Sequence, residues 1–121
     1  GRLVEEARVT PAAFRKAALS LSGAVEGAHM GHADFRANGR IFATLGYPER
    51  DHAMVKVSPD EQDILVEGAP ETFTPVPGGW GKGGATRVLL KTADPKAVKS
   101  GLSLAHAAVL AKKPARPRKA S

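Results

Sequence analysis

The chain has no cysteine among its 121 residues. That excludes disulfide staples, thiolate nucleophiles and cysteine-ligated zinc, and it agrees with a reducing, cytoplasmic setting. No apolar run approaches the roughly 20 residues that a bilayer-spanning helix needs, so no membrane association is expected. The opening residues, Gly1 to Glu6, do not read as a signal peptide. The machinery of common hydrolases is missing too. No serine sits in G-x-S-x-G, and H-E-x-x-H is absent. Ser20 or Ser22 could be imagined beside His29, but nothing in the spacing orients such a pair. A non-enzyme is therefore expected.

What is present has the balance of an ordinary globular domain: 42% apolar and 25% charged residues. The length fits one domain with one modest core. The net charge of +6 is unevenly placed. The last ten residues, "KKPARPRKAS", hold Lys112, Lys113, Arg116, Arg118 and Lys119 and no acid. The other thirteen basic and twelve acidic residues leave residues 1–111 at +1. The reading is a single domain over 1–111 and a basic, disordered tail over 112–121, since two prolines and no large apolar residue cannot order the tail. Such a tail suits nucleic acid or another acidic surface, and it is also an ordinary solubilising end.

Helix signals are clear in three places. Thr10-Pro11 opens a first helix whose Phe14, Ala17, Ala18 and Leu21 form one apolar stripe, with Ser22-Gly23 ending it. Ser58-Pro59-Asp60-Glu61 is a capping box that starts a short second helix, ending near Gly68. Asp94-Pro95 starts the last, with Val98, Leu102, Ala105 and Val109 on its buried stripe and Pro114 as its stop. Strands are expected at residues 52–57 and 85–92, with a weaker candidate at 25–30. "ADFRANGRIFATL" reads as a hairpin around Asn38-Gly39, because both turn residues tolerate positive φ. A two-residue loop would set Phe35 opposite Phe42 and Arg36 opposite Ile41. "GYPERD" reads as a turn and "APETFTPVPGG" as a loop. This order predicts an α+β fold with three helices on one face of an antiparallel sheet. Phe14, Leu21, Val55, Val57, Leu102 and Val109 should share its core.

The segments "FRKAALSLSGAVEG", "HADFRANGRIFATLGYPE", "VKVSPDEQ" and "TPVPGGWGKGGATRVLL" occur in an order that resembles the MmcQ/YjbR family of small bacterial proteins. The similarity spans roughly residues 12–110. "DFR…GRIFATLGY" and "PVPGGWG" are its most specific pieces. The resemblance implies a frataxin-like (CyaY-like) fold and a DNA-binding role through a double wing of hairpins. One departure is that Gly83, Gly84 and Ala85 follow "GGWGK" where the family leads one to expect another basic or bulky residue.

The glycine loop "GGWGKGGATRV" is the most conspicuous candidate site. It is not a Walker A loop, because Val76 and Gly83 stand where Gly and Ser/Thr are required. Gly79, Gly81 and Gly84 satisfy G-x-G-x-x-G, but a proline-rich loop precedes them and a strand follows, so no helix N-terminus receives a pyrophosphate. Two readings remain. Trp80 stacks on a base while Lys82 and Arg87 hold phosphate. Alternatively, Trp80 folds back on the sheet edge while the glycines allow close backbone approach, the commoner state of a lone tryptophan.

Arg36 and Arg40 flank the other turn. Two tips carrying Arg36, Arg40, Lys82 and Arg87, with Trp80 to stack or brace, are what a two-winged backbone binder needs. Arginines at strand ends are equally an ordinary way to solvate a hairpin. His29, His32 and Asp34 would need a bend at Gly31 to chelate, and His52 and His106 have no partner fixed by spacing, so no metal is expected. Asp60, Glu61, Asp63 and Glu67 are explained by capping and solvation without an ion. The expectation is a monomeric, cofactor-free protein whose partner is DNA or RNA. The alternative is a scaffold or small-ligand binder that uses a groove beside Trp80.

Overall fold

A computed structural model describes residues 8–29, 31–46 and 51–112. The tail beyond Lys112 and most of the "GYPERD" turn lie outside these residues, as does the end of the 25–30 strand candidate.

Helix α1 spans Pro11–Leu19, with the Thr10 side chain accepting from the Ala13 amide. Four strands follow: β1 (Val25–His29), β2 (His32–Ala37), β3 (Arg40–Leu45) and β4 (His52–Lys56). Helix α2 (Pro59–Gly68) carries both halves of the expected capping box, Ser58 to the Glu61 amide and Glu61 back to the Ser58 amide. Then come β5 (Phe73–Pro75), a single turn of helix α3 (Gly79–Lys82), β6 (Ala85–Leu89) and α4 (Pro95–Leu110), capped by Asp94. The strands form one antiparallel sheet in the order β1-β2-β3-β4-β6-β5.

The α+β class is as expected, with two additions. Phe73–Pro75 is an edge strand inside the stretch expected to be a loop, and α3 is a fourth helix. The three longer helices pack on one face. Phe14 and Ala18 of α1, Leu65 of α2, and Val98, Leu102, Ala105 and Val109 of α4 join Phe35, Ala43, Val55, Val88 and Phe73 in a single core. Of the six core residues expected, five are buried and Leu21 packs against them from the rim.

The hairpin register differs from expectation at one residue. Arg36 does pair with Ile41, but Phe35 pairs with Ala43, which leaves Phe42 as the extra residue of a β-bulge. A bulge sets two residues of one strand against one of the other. Phe42 and Ala43 are thus set together against Phe35, and all three are fully buried. Phe35 meets the Phe14 ring edge-on at 6.1 Å, and Phe42 meets the His106 ring at 5.5 Å.

Candidate nucleic-acid interface

Antiparallel pairing brings both candidate tips to the same end of the sheet. The β2–β3 turn lies at the start of β3. The end of β4 lies beside it, and Lys56 pairs with Ala85 at the start of β6. Pro75, at the end of β5, pairs with Thr86. The connection 76–84 therefore projects from the same end as Asn38-Gly39, with the β4–α2 junction between them.

The first tip is held by its own turn residue. Asn38 and Gly39 have φ of 55° and 73°, as the two-residue turn requires. The Asn38 amide nitrogen donates to the Val109 and Lys112 carbonyls at 2.8 and 3.0 Å. It thereby adds a donor to carbonyls at the end of α4, where the regular helical ladder runs out. Arg40 stands opposite Ala37.

Arg36 points to the face away from the helices, where it forks onto Asp34: Nε to Oδ1 at 2.8 Å and Nη2 to Oδ2 at 3.1 Å. The Asp34 side chain is wholly buried, whereas that of Arg36 is 42% exposed. The hydrogen bond to Asp34, then its charge, raises the Arg36 pKa above its usual value. Gly27 lies across from Asp34, and a Cβ there would sit 2.9 Å from Asp34 Oδ1 and 3.3 Å from Arg36 Nε. The pair thus needs a glycine on the neighbouring strand. Much of the Arg36 charge, expected to serve phosphate, is offset inside the protein.

The second tip is built on glycines that let backbones touch. A Cβ on Gly81 would fall 1.7 Å from the Val76 carbonyl oxygen, and one on Gly84 would fall 1.9 Å from that of Val57. Gly84 also has φ +110°. Buried Gln62 of α2 donates to the Gly81 and Ala85 carbonyls, both at 2.9 Å. Close approach by glycine, one of the two sequence readings, is therefore present. Its companion, a packed tryptophan, is not: Trp80 is 48% exposed. Lys82 is exposed on the same turn. Arg87 lies within β6, half-buried between Met54 and Thr74 on the face away from the helices.

Between the tips lies a groove of about 720 Å3. Gly39 and Arg40 border it on one side and Gly83 on the other, with Lys56, Val57 and Ser58 from the end of β4 and Ala108, Val109 and Lys112 from the end of α4. Four cations, Arg36, Arg40, Lys56 and Lys112, line it, and no acidic residue does among the described residues. Of the five site residues expected, Arg36 and Arg40 are brought together here. Trp80 and Lys82 stand on the neighbouring tip, and Arg87 is elsewhere on the sheet. Lys56 and Lys112 were missed. Lys56 reads as the polar position of an alternating strand, and its place beside the capping box was the only available signal. Lys112 was counted with the tail.

His29 and His32 are cross-strand neighbours through the bend at Gly31. However, no cluster of three or more His, Asp or Glu suited to a metal ion occurs among the described residues. His106 is buried, and its Nε2 donates to the Ser22 carbonyl at 2.7 Å, tying the end of the α1 region to α4. No helix among the described residues is long and apolar enough to cross a membrane.

Comparison with known proteins agrees with this architecture. None of the curated proteins matches the sequence. Among solved structures the chain is similar to Deinococcus radiodurans protein DR2400, which carries a DUF419 domain. The TM-score is 0.69 at 18% identity, covering 90% of this chain and 84% of that one. The YjbR family model matches residues 19–107, which include the first hairpin, the β4–α2 junction, the glycine tip and most of α4; the chain belongs to the YjbR family.

Proposed function

We propose that this chain is a non-catalytic nucleic-acid-binding protein of the bacterial cytoplasm that grips the phosphate backbone in the groove between its two tips. The observation that carries this reading is the convergence of Arg40, Lys56 and Lys112, beside the Asp34-paired Arg36, on one hollow without an acidic lining residue among those described. Residues 1–111 have a net charge of only +1, so such a cluster is not what an even spread of charge would produce. The five cations of the last ten residues begin at Lys112, itself on the groove. Phosphate contacts carry no direct base information, so binding is weak and largely independent of sequence. Trp80 and Lys82, exposed on the adjoining tip, extend the contact.

The test is a salt titration of a labelled oligonucleotide by fluorescence anisotropy. Each phosphate neutralised on duplex DNA contributes about 0.9 to the slope of log K against log salt, so the five tail cations alone predict a slope of about −4 to −5. Reversing Arg40 and Lys56 to Glu should weaken binding more than tenfold and make the slope shallower by about 2. Unchanged affinity in that variant would remove the groove from the interface. A second reading has one observation in its favour: the volume lies within the roughly 300–1,000 Å3 of small-molecule sites, so a phosphorylated small ligand also fits.

A further inference from the structure

We propose that the groove receives a single strand, with an unstacked base seated on its apolar floor, and does not accommodate an intact duplex. This rests on the nucleic-acid reading above. The motivating feature is the mixed lining. Five of the twelve residues are apolar, namely Ile41, Val57, Pro59, Ala108 and Val109, and they line the hollow together with the cations. A surface that only countered phosphate charge would need the cations alone. A duplex turns its phosphates outward and keeps its bases stacked, so it meets the rim and leaves the floor empty. A single strand can splay a base out of line, and apolar or guanidinium surfaces receive its flat face. Arg40 supplies such a guanidinium, while Lys56 and Lys112 line the same hollow and would meet the flanking phosphates. A hollow of about 720 Å3 suits a nucleotide or two and not the width of a double helix.

The experiment uses the full chain and four labelled or competing probes at one salt concentration. These are a short thymidine oligonucleotide, an abasic strand with the same number of phosphates, a duplex of equal length, and thymidine monophosphate. The thymidine strand should bind about tenfold more tightly than the abasic strand and the duplex, the gain expected from one seated base. Its salt slope should equal that of the abasic strand, since both carry the same phosphates. Ile41→Thr should remove most of the preference for the thymidine strand over the abasic one, and Lys56→Ala should weaken both. Equal binding of the thymidine and abasic strands, or tighter binding of the duplex, overturns the inference and leaves the nucleic-acid reading standing. A preference abolished by Trp80→Ala and untouched by Ile41→Thr also overturns it, because the base then sits on the tip. Failure of every strand to bind at low salt overturns the parent reading as well. Thymidine monophosphate binding as tightly as the strand replaces both with the small-ligand reading.

Discussion

Replacing Arg36 by Met should cost folding stability more than it costs nucleic-acid affinity. The side chain keeps an apolar stem close to that of arginine, but Asp34 loses both hydrogen bonds of the fork. Asp34 is wholly buried, on a strand flanked by Gly27 and Thr44, and neither neighbour carries an opposing charge. Removing one partner of a buried ion pair costs about 3–5 kcal/mol. Arg36 is 42% exposed, so water can enter the space it vacates and the carboxylate is not stranded in a dry interior. That discount brings the expected loss to about 2–3 kcal/mol. For a domain of this size the midpoint should fall by roughly 8–12 °C. Urea unfolding followed by far-ultraviolet circular dichroism measures the free-energy loss and a thermal scan the midpoint, with Asp34→Ala and the double variant completing a cycle. The double variant should be more stable than Arg36→Met alone, because it leaves no unpaired carboxylate. A loss below about 0.5 kcal/mol for Arg36→Met, or strictly additive losses, would mean that Asp34 does not depend on Arg36 and that the guanidinium is available to ligand after all.

Leu102→Ala, at the centre of the α4 stripe, should cost about 2–5 kcal/mol in the same urea assay, and a surface-like change would contradict its place in the core. Asn38→Gly keeps a residue that tolerates the φ of 55° but deletes both bonds to the end of α4, so about 1–2 kcal/mol should be lost, with faster amide exchange confined to the last turn of that helix. Gly84→Ala sets a Cβ against the Val57 carbonyl at φ +110° and should cost about 3 kcal/mol or more; a native midpoint would mean that the tip moves freely away from β4.

The helices that carry strong local chemistry were legible. Thr10, Ser58 and Asp94 each cap a helix followed by proline, and these signals act within a few residues of themselves. Asn38-Gly39 announced its turn for the same reason. The edge strand β5 was not legible, because three residues of Thr and Pro around Phe73 have no period to read. Nor was α3. Glycine is among the poorest helix formers, and "GWGK" is helical because Gln62, Val76 and Val57 hold the backbone there. The bulge at Phe42 was not legible, because the Asn38-Gly39 turn specifies only the pairs next to it and nothing local marks the extra residue. The site was half legible. Arg36 and Arg40 were found from the turn they flank, but the Asp34 fork on Arg36 and the arrival of Lys56 and Lys112 depend on strand order. Trp80 went against the usual fate of a lone tryptophan, since its turn is anchored by glycine backbone and leaves the residue about half exposed.

The two jaws of the groove are fastened in different ways, yet both are fastened. Asn38 latches the first to the end of α4, and Gly81 and Gly84 press the second against Val76 and Val57. A cleft preassembled in this way asks little ordering of itself at the moment of capture. The entropic cost of association then falls mainly on the guest, which must straighten and surrender a stacked base. Stopped-flow traces should accordingly be single-exponential, with a rate that rises linearly with protein concentration and no plateau from a slow opening step.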